Sequence, residues 1–302
     1  MRLLSIDGGG IRGIIPALVL ADLERRTGRR TADLFDLVAG TSTGGILACA
    51  LTIPGAKPAS DVVRLYRERG PRIFRRSLWQ RVSSVEGLVD EKHDARELVR
   101  ALRDELGDAR LSDATTRVLV TAYDLVARTP YFFKSWRPDR DAAMVDVAHA
   151  TAAAPTYFEP VALDGRSLVD GGVFATNPAM CAYAEARRLE PRRDCYVVSL
   201  GTGEQTRPIP HERAAAWGLV EWVRPLVDVV FDGVADAVDY QLRHVCADGE
   251  YVRLQTVLDR ASDDLDDAGE RNLRLLTEQA RDLIAREEAT LAEVARRLTR
   301  RD

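Results

Sequence analysis

Ser42 stands between two glycines in Gly40-Thr41-Ser42-Thr43-Gly44. A serine so placed can act as a nucleophile where the chain turns sharply from strand to helix, because the glycines let backbone and substrate come close. A second glycine run, Gly8-Gly9-Gly10-Ile11-Arg12-Gly13, opens a helix after a strand and aims its amides at an anion. Taken alone it equally suggests a dinucleotide site. That site wants an acidic residue at the end of the second strand, where this chain has Gly40-Thr41-Ser42. No Gly-Lys-Ser/Thr comes after it, which excludes a P-loop. An oxyanion hole remains: the amides of Gly9 and Gly10, with Ile11 and Arg12 as further candidates, would meet a developing alkoxide.

A base for Ser42 is harder to find. His93 and His211 lie in polar surroundings and His149 and His244 on helical stretches, and none has a context that marks a base. The common α/β-hydrolase order of Ser, Asp and His also sets several strands before its nucleophile, whereas one strand–helix unit and one strand precede Ser42. Asp170 ends a strand, and Gly171 and Gly172 clear space around it. That is also an ordinary turn, and the residues by themselves leave its role open. Asp263-Asp264-Leu265-Asp266-Asp267 lacks the ligand spacing of a calcium loop and reads as a solvated loop capping the last helix. Arg72, Arg75, Arg76 and Arg81, near Phe74 and Trp79, are a candidate site for an anionic ligand, a solvated basic face being the plainer reading.

The elements that must position these residues are read from hydrophobic patterning. Residues 3–6 form a buried strand entering the first glycine loop, and the helix after it closes at Gly28. Residues 35–39 form a second strand and 46–51 a second helix. This alternation predicts a parallel sheet covered on both faces, with both glycine turns at one carboxyl edge. Later strands are expected at 117–125 and 131–136 (a hairpin), 168–169, 195–200 and 251–257. Helices are expected at 142–153, 178–189 and 217–245, and a last one after the capping-box pair Asp267 and Glu270, carrying Leu273 through Leu298. Residues 71–90 read as an excursion. The broad apolar surface over 217–231 is most simply core, a lid or membrane-docking helix being the alternative.

Composition narrows the class. With 46% hydrophobic and 30% charged residues the chain is not mostly disordered. A net charge of −4 supplies no overall field for nucleic acid or anionic lipid. Four scattered cysteines (Cys49, Cys181, Cys195, Cys246) point to reduced thiols and a cytoplasmic protein. The first residues do not read as a signal peptide, and no apolar run reaches the ~18 residues that span a bilayer. There is no repeat or linker, so residues 1–302 are expected to form one domain.

Three ordered motifs together carry a family likeness. Leu4-Ser5-Ile6-Asp7-Gly8-Gly9-Gly10-Ile11-Arg12-Gly13, Gly40-Thr41-Ser42-Thr43-Gly44 and Asp170-Gly171-Gly172 resemble the patatin-like phospholipases. So do Ala153-Ala154-Pro155-Thr156-Tyr157-Phe158 and Asn177-Pro178. The resemblance covers residues 3 to about 203, and more weakly 258–278. It implies a three-layer α/β/α fold around a mostly parallel sheet, with 204–302 a helical C-terminal part of the same domain. It implies a Ser42–Asp170 dyad, an oxyanion hole at the Gly8–Gly13 loop, no metal or cofactor, and hydrolysis of fatty-acyl esters in phospholipids at the inner membrane surface. The likeness extends to bacterial patatin-like effectors of antiphage systems. This implies activation by a cyclic oligonucleotide in antiviral defence, no nucleic-acid polymer as partner, and is compatible with a homo-oligomer. His149 departs from the arginine that relatives often carry. The other reading is a non-catalytic acyl-ester or nucleotide-binding protein that keeps the fold.

Overall fold

In the computed structural model, which describes residues 1–74, 95–204 and 208–300, eight strands form one sheet. They are β1 (Arg2–Ile6), β2 (Leu37–Thr41), β3 (Arg117–Asp124), β4 (Thr129–Lys134), β5 (Val161–Leu163), β6 (Arg166–Asp170), β7 (Tyr196–Leu200) and β8 (Tyr251–Leu254). Their order is β5-β6-β3-β2-β1-β7-β8, with β4 hairpinned onto β3. Pairings among β3, β2, β1, β7 and β8 are parallel; those of β4, β5 and β6 are antiparallel. The helices are α1 (Ile14–Thr27), α2 (Thr31–Leu34), α3 (Thr43–Thr52), α4 (Ala59–Ile73), α5 (Ala95–Leu106), α6 (Met144–Thr151), α7 (Gly172–Ala175), α8 (Ala179–Leu189), α9 (His211–Ala215), α10 (Leu219–Val245), α11 (Glu270–Arg286) and α12 (Glu288–Thr299).

Alternation along the strands builds two cores. Leu4, Ile6, Val38, Val118 and Val120 face α1, α3, α4, α5 and α6 on one side. Leu3, Leu37, Ala39, Leu119 and Val197 face α8 and Leu242 of α10 on the other. The mostly parallel three-layer fold expected from the sequence is therefore present. β8 belongs to the same sheet as β1, so the segment after residue 203 is not wholly helical.

Several boundaries differ from expectation. β2 begins at Leu37 because α2 occupies the residues before it and Phe35 ends that short helix. The strand then runs to Thr41 and α3 starts at Thr43, which leaves Ser42 as the whole turn. The expected capping box at Asp267 and Glu270 does not form: Gly269 precedes α11, and Asp267 Oδ1 accepts the Gly269 N–H instead (3.1 Å). The tail is two helices rather than one, broken at Glu287.

Glu24, near the end of α1, ties that helix to the starts of α2 and α4. Its Oε1 accepts the backbone N–H (2.9 Å) and hydroxyl (2.8 Å) of Thr31, and its Oε2 accepts the Ala59 N–H (3.0 Å). Glu24→Ala strands these buried donors and is expected to cost about 2–4 kcal/mol in chemical denaturation, with Glu24→Gln costing less.

Candidate active site

Strand register brings the two candidate catalytic side chains together. Thr41 pairs with Thr121 across β2 and β3, and Ala122 pairs with Asp170 across β3 and β6. Ser42 and Asp170 thus flank the same point of β3 from opposite sides. The turn at Ser42 is strained, with φ 55° and ψ −124°, a combination that side-chain-bearing residues avoid and that costs about 1–3 kcal/mol. The glycines permit it by close approach. A Cβ on Gly40 would lie 2.1 Å from the Gly44 carbonyl oxygen, and one on Gly44 would lie 2.1 Å from that of Ile6.

Four threonines hold the turn in place. The Ser42 N–H donates to Thr151 Oγ1 (2.8 Å), and Thr151 donates to the Thr121 carbonyl (2.7 Å). Thr41 Oγ1 donates to the Ala175 carbonyl (2.6 Å) and so accepts from Thr121 Oγ1 (2.7 Å). Thr43 and Tyr66 are joined through their hydroxyls. Nothing in the sequence singles out Thr151 or Thr121, because their role exists only once α6 and β3 lie beside the turn.

Asp170 is fully buried. Its Oδ1 accepts the Gly172 N–H (2.8 Å), while Oδ2 has no hydrogen-bond partner among the described residues. Burial pushes its pKa up to about 7, against the opposing pull of the Ser42 hydroxyl and the Gly172 amide. A carboxylate with that pKa is far better matched to a hydroxyl proton than a free aspartate. Gly171 and Gly172 let α7 begin at once: a Cβ on Gly172 would lie 2.8 Å from the Phe231 ring.

The Gly8–Gly13 loop divides its roles. The Gly8 amide donates to the Thr176 carbonyl (2.9 Å), Ile11 to that of Leu265 (2.9 Å) and Arg12 to that of Gly9 (3.1 Å). The amides of Gly9 and Gly10 have no acceptor among the described residues, and both glycines line the pocket with Ser42 and Asp170. Gly13 packs under Thr43 and Tyr66. Ile11 and Arg12 are therefore not available as anion donors through their amides, which are already engaged. Arg12 lies on the far side of the loop, in a polar cavity of about 210 Å³ with Asp7, Glu204, Asp232 and Arg253.

There Arg253 grips Asp7 with two hydrogen bonds (2.9 and 2.6 Å) and also reaches Ser199 Oγ (2.8 Å). Burial raises the Asp7 pKa, and Arg253 opposes it. The partner of Asp7 was not identifiable in the sequence, because Arg253 is contributed by β8, far along the chain.

On the near side, the pocket of about 80 Å³ has almost wholly apolar walls, among them Ile46, Leu65, Ile73, Phe74, Leu98, Leu102, Tyr157, Phe158, Phe231 and Leu265. Leu265 corrects the reading of 263–267 as a solvated loop: Asp263 and Leu265 are buried, since the loop folds back onto Ile11. None of the described histidines lines the pocket; burial lowers the pKa of His149. No group of three or more His, Cys, Asp or Glu among the described residues is placed to hold a metal. Arg75, Arg76, Arg81 and Trp79 lie outside the described residues, while Phe74 is a wall of the pocket.

Comparison with known proteins adds a lineage to this geometry. The family model described as patatin-like phospholipase matches residues 4–183. "Probable inactive patatin-3-Kuras 1" of Solanum tuberosum is 32% identical over 329 aligned positions, covering 94% of this chain and 86% of that protein. "Patatin-like protein 2" of Oryza sativa subsp. indica is 33% identical over 328, covering 90% and 81%. The crystal structure of VipD from Legionella pneumophila superposes with a TM-score of 0.44 at 12% identity, over 94% of this chain and 66% of that one.

The site makes two stability outcomes measurable. The folded chain holds the Asp170 proton up to about pH 7, while the unfolded chain releases it near its ordinary value of 3.8. Ionising this group therefore costs stability as pH rises through that window, on the order of a few kcal/mol above it. Asp170→Asn removes the cost, so its thermal midpoint should exceed the parent's at pH 8 and the gap should close toward pH 4. Thr151→Val leaves the Ser42 N–H buried without an acceptor and should destabilise the fold by about 1–3 kcal/mol in denaturant titration.

Proposed function

The chain belongs to the patatin-like phospholipase family, and from that premise we propose that it hydrolyses fatty-acyl esters of lipids, with Ser42 as nucleophile and Asp170 as base. The observation that carries the reading is the pairing of a strained Ser42 with a buried carboxylate whose Oδ2 has no hydrogen-bond partner among the described residues, both lining an apolar pocket.

In this mechanism the ester carbonyl enters with its acyl chain against the apolar wall. Ser42 Oγ attacks the carbonyl carbon, and its proton passes to Asp170. The carbonyl oxygen becomes an alkoxide, held by the Gly9 and Gly10 amides; a good donor of this kind contributes about 3–4 kcal/mol to the barrier reduction. Collapse expels the alcohol, which takes the proton back from Asp170, and leaves the acyl group on Ser42. Water then gives its proton to Asp170 and releases the fatty acid by the reverse sequence. The apolar walls favour an acyl chain over a polar group and keep bulk water off Asp170.

A relative bearing the word inactive in its name makes the non-catalytic alternative worth a direct test. A fluorophosphonate probe should label the parent protein, and Ser42→Ala should abolish labelling. Hydrolysis of a fluorogenic phospholipid should fall by at least about 10⁴-fold in Ser42→Ala and Asp170→Ala alike, because the two act as one unit. The parent's kcat/KM should lose about tenfold per pH unit below pH 7, where Asp170 is protonated. Because backbone amides meet the oxyanion, activity should survive excess EDTA. Absence of labelling and of turnover in the parent protein would leave the binding-protein reading in place.

A further inference from the structure

Helix α10 has three faces where a helix packed on a protein body needs two. Phe231 and Leu242 are buried against the body, and Phe231 is a wall of the Ser42 pocket. Asp228 and Asp232 form a second, acidic side, whose charge reaches the buried Arg12 guanidinium. The third face is Leu219, Trp222, Leu226, Val229, Val230, Gly233, Ala237 and Tyr240, at the three- and four-residue steps that line one side of a helix.

This third face points to solvent. Leu219 is 86% exposed, Leu226 51% and Tyr240 66%, and the exposed Asp236, seven residues after Val229, borders the stripe near its Tyr240 end. Single exposed leucines are ordinary, but a continuous apolar stripe roughly 30 Å long marks an interaction surface. The reading of 217–231 as plain core is thereby corrected: among the described side chains of this segment Phe231 alone is buried, and the apolar stripe faces out.

Two observations choose the occupant. From Leu219 to Val230 the stripe carries no charged side chain, and the charge of Asp228 and Asp232 reaches Arg12, so this length of it suits an electrically neutral surface. The same helix also reaches the pocket, since Phe231, next after Val230 and about 100° around the axis from it, is one of the pocket walls. Trp222 near one end, stacked edge-on against Trp217 with ring centroids 5.0 Å apart, and Tyr240 at the other are side chains that settle at the boundary of headgroup and acyl chain. No helix of the described residues is long and apolar enough to cross a membrane, which fits α10 for lying along one.

We propose that this stripe of α10 is the face by which the protein rests on a zwitterionic phospholipid bilayer, so that a lipid reaches the Ser42 pocket past Phe231. The choice of lipid rests on the hydrolase reading, but binding is measurable apart from hydrolysis. The test is flotation of Ser42→Ala protein with phosphatidylcholine vesicles, beside the same protein carrying Leu219→Asp and Leu226→Asp. Both leucines are exposed, so the thermal midpoint should stay unchanged while vesicle partitioning falls at least about tenfold, the loss of a single buried leucine's transfer free energy. With Ser42 intact, the double variant should hydrolyse a short soluble ester at the parent rate. Adding anionic lipid should not strengthen binding, given the net charge of −4. Vesicle binding by a protein that turns over no ester would uphold the surface and fail the hydrolase reading alone. The proposal is overturned if the Ser42→Ala protein does not float, if the aspartate pair floats equally well, or if sedimentation shows a dimer that the pair dissociates.

Discussion

A carboxyl group kept from water is the constraint on which this structure turns. Burial opposes ionisation of Asp170, which has one oxygen satisfied by the Gly172 amide and the other without a partner among the described residues. Such a group is a liability in a core, since a buried unpaired charge is among the costlier defects a fold can carry. The same desolvation raises its basicity beside the Ser42 hydroxyl, which is the property that the proposed reaction uses. The strain at Ser42 is of the same kind. Both are stabilised from outside: the turn by Thr151, Thr121 and Thr41, the carboxylate by the sheet register that holds β6 against β3.

The first glycine loop separates two environments. On one side it presents the amides of Gly9 and Gly10 to an apolar pocket. On the other it borders a polar cavity where Arg12 and the Asp7–Arg253 pair lie. Buried ion pairs often contribute little net stability, because desolvation offsets the attraction. What this one contributes is position. It clamps the end of β1 to β8 through a bidentate contact, next to the loop whose amides must not move if they are to meet an oxyanion. Helix α10 joins the two environments, with Phe231 in the apolar pocket and Asp232 in the polar cavity.

Much of this was legible in the amino-acid order. Glycine spacing encodes local backbone geometry, so both turns, the placing of Ser42 in one of them and the strand–helix alternation around them could be read from short stretches. The family likeness rests on the same short stretches. What the sequence left open was every relation between distant segments. Asp170 looked like an ordinary turn until β6 paired with β3 and set it level with Ser42. Leu265 looked solvated until its carbonyl accepted the Ile11 amide. Thr151 and Arg253 carried no local signal at all. Apolar periodicity showed that α10 has apolar sides, and only packing decided which of them faces the core and which faces out. The reason is common to all of these: hydrogen-bonding geometry within a turn is fixed by neighbouring residues, whereas burial, strand register and pKa depend on which remote groups exclude the water.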